Sequence, residues 1–142
     1  MIRRCTSSND TDGGQIVGFK IEIDGAPPRK NDRHFLTKKS GRPVQVNSPS
    51  YRKLVEAIRT SWTAATIDSG IWVVEIVAWW PRRRDLGDVR VPFGDIDAPV
   101  SSVLDALEAA GVVDNDMRFA GLIVARRYDA GREGLVISGT RS

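Results

Sequence analysis

Four aspartates, Asp95, Asp97, Asp114 and Asp116, stand in two pairs at the ends of one short amphipathic stretch, Val100 to Ala110. Neither pair is expected to find a basic partner nearby. Carboxylates crowded in this way attract a cation, and a hard divalent ion such as Mg²⁺ takes one or two protein carboxylates together with waters and phosphates. Residues 95 and 97 alternate, so their carboxylates face one side if the chain is extended there. The chemistry this implies is metal-assisted attack on a phosphate.

Each aspartate also has an ordinary structural use. Asp97 fits the N-cap of the helix that follows, Asp95 fits a loop, and Asp114-Asn115-Asp116 fits a turn before the next strand. From the residues alone, both uses stay open.

Asp95-Ile-Asp97, then Asp105-Ala-Leu107, then Gly111-Val-Val-Asp114-Asn-Asp116 resembles the core motif of the RusA family of Holliday junction resolvases. That pattern runs Asp-x-Asp-Asn, a lysine in the following helix, Asp-Ala-Leu, Gly and a pair of aspartates. Gly25-Ala-Pro27-Pro28-Arg29-Lys30-Asn31 resembles the family's N-terminal Pro-Pro and Asn signature, and the likeness covers roughly residues 15 to 140. It implies a Mg²⁺-dependent endodeoxyribonuclease, with Mn²⁺ as a substitute ion, that resolves four-way junctions in recombination and repair. The family's catalytic and metal-binding carboxylates carry over to Asp95, Asp97 and Asp116. Three positions depart from the pattern: Ala98 stands for the asparagine, Ser101 for the helix lysine, and Asn115 for the first of the closing aspartates. Arg118 or one of Arg82 to Arg84 is a candidate substitute for the lysine charge. The departures also motivate an alternative, a branched-DNA-binding protein with impaired catalysis. A small interaction domain whose acids are only caps and turns is a third reading.

The basic residues are concentrated. From Gly25 to Asn47 the chain holds Arg29, Lys30, Arg33, Lys38, Lys39 and Arg42 against Asp32, a local balance of +5 in a chain whose total is +3. The remainder therefore sums to −2. A solvated loop explains such a run, and so does phosphate contact, which needs exposed cations and no base-reading geometry. Arg82-Arg83-Arg84 stands one loop upstream of Asp95, placed to hold a phosphate beside the acidic cluster. No recognition-helix or zinc-finger signature accompanies these cations, so backbone and shape recognition is expected rather than sequence readout.

The elements that must position these residues follow from periodicity. Ile16, Phe19, Ile21 and Ile23 mark a half-buried strand over 15–24, and Leu54, Val55, Ile58 and Trp62 mark a helix over 51–66, opened by Ser48-Pro49 or Ser50. Ile71 to Trp80 is an apolar strand that Pro81 ends, with Trp79 and Trp80 expected as core and an exposed platform for a partner chain as the alternative. Val100, Val103, Leu104 and Leu107 form one helix face after Pro99, and Gly111 stops it. Met117 to Tyr128 and Leu135 to Ser138 read as two strands joined as a hairpin by Asp129 to Gly134. The expectation is an α+β fold, a small mixed sheet of about four strands with two helices in the order β-α-β-α-β-β. Residues 1–14 are expected to be a flexible lead, and 15–142 one nuclease domain.

One cysteine and one histidine among 142 residues exclude an internal disulfide and a Cys/His zinc site. No Gly-rich phosphate loop supports a nucleotide cofactor. No signal peptide or membrane span is visible, so a soluble cytoplasmic protein is expected, of cellular, phage or prophage origin. A helix of about 11 to 12 residues is roughly 16 to 18 Å long, which separates Asp97 from Asp116. They meet only if residues 112–116 turn back along the helix or if a second subunit supplies Asp116. A four-way junction has two strands to cut symmetrically, which a C2 homodimer matches, as the resemblance also implies.

Overall fold

The computed structural model describes residues 2–29, 34–39 and 42–142, the backbone alone in 34–39 and 42–47. Strands β1 (Ile2–Asp12), β2 (Gln15–Gly25), β5 (Trp72–Trp80), β8 (Phe119–Tyr128) and β9 (Gly134–Arg141) form a five-stranded sheet ordered β1-β2-β9-β5-β8. All neighbours are antiparallel except β5 and β8, which run parallel. Two separate ribbons pair β3 (His34–Lys39) with β4 (Arg42–Asn47), and β6 (Arg83–Asp85) with β7 (Arg90–Pro92). Helices α1 (Pro49–Ser61) and α2 (Val100–Ala109) complete an α+β fold with a mixed sheet.

Strand alternation decides where the core lies. Phe19, Ile21 and Ile23 of β2, the even-numbered residues 72–80 of β5, and Leu135 and Ile137 of β9 are buried in the cluster that also takes Leu54 and Ile58 of α1 and Val103, Ala106 and Leu107 of α2. The intervening positions form the other face, where Lys20 and Glu22 make an exposed ion pair at 3.0 Å. Each fully buried Ile or Leu contributes about 1.5–3 kcal/mol of transfer free energy, so the helix–sheet layer dominates cohesion. The helix signals operate as their chemistry dictates: the Ser48 hydroxyl accepts the Tyr51 N–H at 3.1 Å, and Gly111 ends α2 with φ of 83°.

Five expectations are corrected. Residues 2–12, expected in a flexible lead, form an edge strand paired along its length with β2 and turning at Gly13-Gly14. Its sequence is polar, yet Cys5, Ser7 and Asn9 lie on the less exposed side, and the Ser7 hydroxyl donates to the Ser61 carbonyl at 2.6 Å. The main sheet has five strands rather than four, and the stretches expected as basic loops carry ribbons. Strands β8 and β9 are not a hairpin, because β5 lies between them. Helix α1 stops at Ser61, and Trp62 is buried beyond its end, edge-on to Phe19 at 5.6 Å.

Candidate active-site cleft

The chain from β5 to α2 builds the site. Pro81 ends β5, the β6–β7 ribbon projects, and the Phe93 N–H donates to the Arg82 carbonyl at 3.0 Å to close the ribbon at its base. Gly94 then passes over the buried Trp80 indole so closely that a β-carbon would stand 1.9 Å from Cζ2. Only a residue without a side chain lets the backbone approach here. From the parallel neighbour β8, Arg126 Nη1 donates to the Gly94 carbonyl at 2.7 Å and to the Pro92 carbonyl at 3.4 Å. Asp95 thus follows a segment fixed from below by an indole and from the side by a guanidinium.

Asp95 opens onto a cleft of about 230 Å³ that Arg29 and Arg84 also line. Trp80, Phe93 and Ala98 supply its apolar walls. Arg84 stacks over Phe93 with 5.0 Å to the ring centroid, and Arg83 stacks over Tyr128 at 4.3 Å. Stacking orients a planar guanidinium and leaves its N–H edge for phosphate oxygens. Trp80 Nε1 is a buried donor that meets no acceptor among the described residues. Two cations beside one carboxylate in an apolar-walled recess suit a phosphodiester approached by a metal.

Asp97 is placed differently from the extended expectation. The Ala98 N–H donates to the Asp95 carbonyl at 3.3 Å and the Val100 N–H to the Asp97 carbonyl at 3.2 Å, so the chain coils through two consecutive turns between Asp95 and α2. The N-cap position of α2 is Pro99, in the right-handed helical region and without a side-chain cap bond. Asp97 is therefore not the cap; its exposed side chain stands one turn before the helix.

Asp116 sits at the other end of α2. Beyond Gly111 the chain runs alongside Ile67 through a parallel bridge at Val113, and the Asp116 N–H donates to Glu108 Oε1 at 3.3 Å, near the helix C-terminus. Residues 112–116 do not turn back, and ten helical residues are about 15 Å long. Accordingly, among the described residues no three His, Cys, Asp or Glu side chains are grouped to hold a metal ion. The acidic cluster at this end is also not free of cations. Arg118 clasps Asp114 with Nε–Oδ1 at 2.5 Å and Nη2–Oδ2 at 2.9 Å, and its Nη1 reaches the Gly70 carbonyl at 3.4 Å. The hydrogen bonds from Arg118 hold the Asp114 carboxyl below its ordinary pKa, and Asp114 in turn raises that of Arg118. Asn115 caps the short 3-10 turn Asp116–Arg118 by accepting the Met117 N–H at 2.9 Å.

Of the sequence-selected cations, Arg29 and Arg84 reach the cleft, while Arg82 and Arg83 are exposed at the base of the ribbon. Lys30 and Arg33 lie outside the described residues, as do the side chains of Lys38, Lys39 and Arg42. Sequence patterning does not single out Gly94 or Arg126. The one hint is that Arg126 and Arg127 break the apolar run of the strand, where a half-buried cation needs acceptors.

No family model matches this chain. It is similar to the crossover junction endodeoxyribonuclease RusA of Aquifex aeolicus (strain VF5), with 26% identity over 125 residues, 87% of this chain and 91% of that protein. None of its helices is long and apolar enough to cross a membrane among the described residues.

Proposed function

We propose that this chain is a metal-dependent endonuclease that binds four-way DNA junctions and resolves them by paired phosphodiester cleavage. The observation that carries the reading is the convergence of Asp95, Arg29 and Arg84, separated by up to 66 positions in sequence, on one cleft. The similarity to a crossover junction endodeoxyribonuclease over most of both chains supports the substrate class.

In this reading Arg29 and Arg84 bind the non-bridging oxygens of the scissile phosphate and hold it against Asp95, while Trp80 and Phe93 exclude bulk water from one side. Asp95 and Asp97 are the residues that would hold Mg²⁺ or Mn²⁺, consistent with an ion that needs one or two carboxylates and takes its other ligands from water and phosphate. Such an ion, when bound, would supply Lewis-acid charge and a water activated for attack. Asp116 does not fit the same site within one chain. A C2 homodimer would let a second subunit bring its Asp116 to the cleft and would provide two sites for the two strands of a junction.

A second reading, a branched-DNA-binding protein with impaired catalysis, has its own observation. Ala98 lines the cleft where the resembled motif has an amide, and Arg118, a candidate for the missing lysine charge, is engaged by Asp114. A synthetic four-way junction and the matching linear duplex, incubated with Mg²⁺ or with EDTA, separate the readings. Symmetric Mg²⁺-dependent nicks in the junction support the nuclease; tight junction binding without product in Mg²⁺ or Mn²⁺ supports the binding protein.

A further inference from the structure

A second cavity, of about 250 Å³, opens between the Ala26–Arg29 segment, the first turn of α1 and Ser102 of α2. Its walls are apolar, formed by Ile23, Pro27, Leu54 and Leu135, all buried, while the cations Arg29 and Lys53 that also line it are exposed. We propose that this pocket receives one unstacked nucleobase of the DNA strand whose phosphate is held at Arg29. The inference rests on the junction-cleavage reading and specifies which part of the substrate is gripped.

Three observations carry it. Arg29 lines both this pocket and the Asp95 cleft, so a phosphate bound there has room for its own base on one side and for the neighbouring phosphate on the other. Pro27 and Pro28 form one wall with fixed backbone angles and no N–H groups, giving a stiff surface without donors that a base plane would leave unsatisfied. Arg29 and Lys53 both line the pocket and are exposed, so positive charge flanks the opening. An apolar recess flanked by Arg29 and Lys53 suits a planar base on a polyanionic strand better than an apolar peptide side chain. Extruding a base costs least where stacking is already broken, which is the exchange point of a branched junction.

The test uses the full chain and four-way junctions carrying 2-aminopurine at each position beside the exchange point, in EDTA. Wild type should raise the fluorescence several-fold at one position. Ala26→Phe and Ser50→Phe, which enter the pocket from two exposed rim positions, should abolish the rise and weaken junction binding about tenfold, with thermal melting unchanged. A rise that persists in both variants overturns the assignment. In parallel, the Ile23, Leu54 and Leu135 methyl signals are followed by NMR with the four deoxynucleoside monophosphates and with deoxyribose 5-phosphate. Shifts from the nucleotides but not from the sugar phosphate are expected; equal shifts from both overturn the pocket. If nucleotides shift these methyls but junctions are neither bound nor cut, the pocket stands and the nuclease reading falls. If junctions are bound and cut while neither probe perturbs these methyls, the pocket falls and the nuclease reading stands.

Discussion

Gly94 lies on the indole of Trp80 at a separation no side chain could share: a β-carbon would stand 1.9 Å from Cζ2 and 2.1 Å from Cε2. Since Trp80 is 5% exposed and backed by the core, the ring cannot swing aside. The position of Asp95 is thus transmitted from the sheet through this van der Waals contact together with the Arg126 hydrogen bonds.

Gly94→Ala should therefore destabilise the fold by about 1–3 kcal/mol, as overpacking does. It should also red-shift tryptophan emission and lower cleavage more than junction binding. Denaturant unfolding followed by fluorescence checks this, and a parental midpoint would show that the loop can lift off the ring freely.

Arg126→Ala removes the donor shared by the Gly94 and Pro92 carbonyls. A hydrogen bond to a charged group contributes about 1.5–3 kcal/mol, so a loss of that size is expected, together with reduced single-turnover cleavage at nearly unchanged junction affinity. Arg126→Lys should recover stability only in part, because an ammonium lacks the planar fork.

The cations at the two ends of α2 should behave differently. Arg84→Ala should weaken junction binding, reduce the dependence of log affinity on log salt by about one unit, and lower turnover. Arg118→Ala should leave junction affinity and its salt dependence near the parental values, since its guanidinium is held by Asp114 at the other end of the helix. Binding isotherms at several salt concentrations and single-turnover cleavage, run on both variants, decide between them.

The Asp114–Arg118 pair also has a pH signature. The folded carboxyl titrates below its ordinary 3.8, so the pair's contribution is complete above about pH 4 and is lost as pH falls through the lowered folded value. The stability difference between wild type and Asp114→Asn should be constant from pH 7 to about 5 and vanish in strong acid. A difference that grows on acidification would contradict the pairing.

Much of the fold was legible because burial leaves a periodic trace. Ile21 and Ile23 alternate along β2, Leu54 and Ile58 recur along α1, and Gly111 punctuates α2. Strand β1 was not legible, because its edge position lets Ser, Thr and Asn serve on both faces. The β6–β7 ribbon was also hidden, since a short ribbon of exposed residues satisfies its backbone without apolar alternation. Within the site, Asp95 and Arg29 stand out by type, but their meeting with Trp80 in one cleft is set by topology and leaves no local signal. Asp97 looks like a cap because Asp before Pro commonly is one, and the two turns at 95–100 displace that role.

The most direct measurement is single-turnover cleavage of a four-way junction by wild type and Asp95→Asn in Mg²⁺, alongside junction affinity in EDTA. If Asp95 works with Arg29 and Arg84 on the scissile phosphate, the variant should lose cleavage by at least about a hundredfold. It should bind the junction as tightly as wild type or slightly more so, because a repulsive charge beside the phosphates is gone. Cleavage by Asp95→Asn at the parental rate would contradict the account.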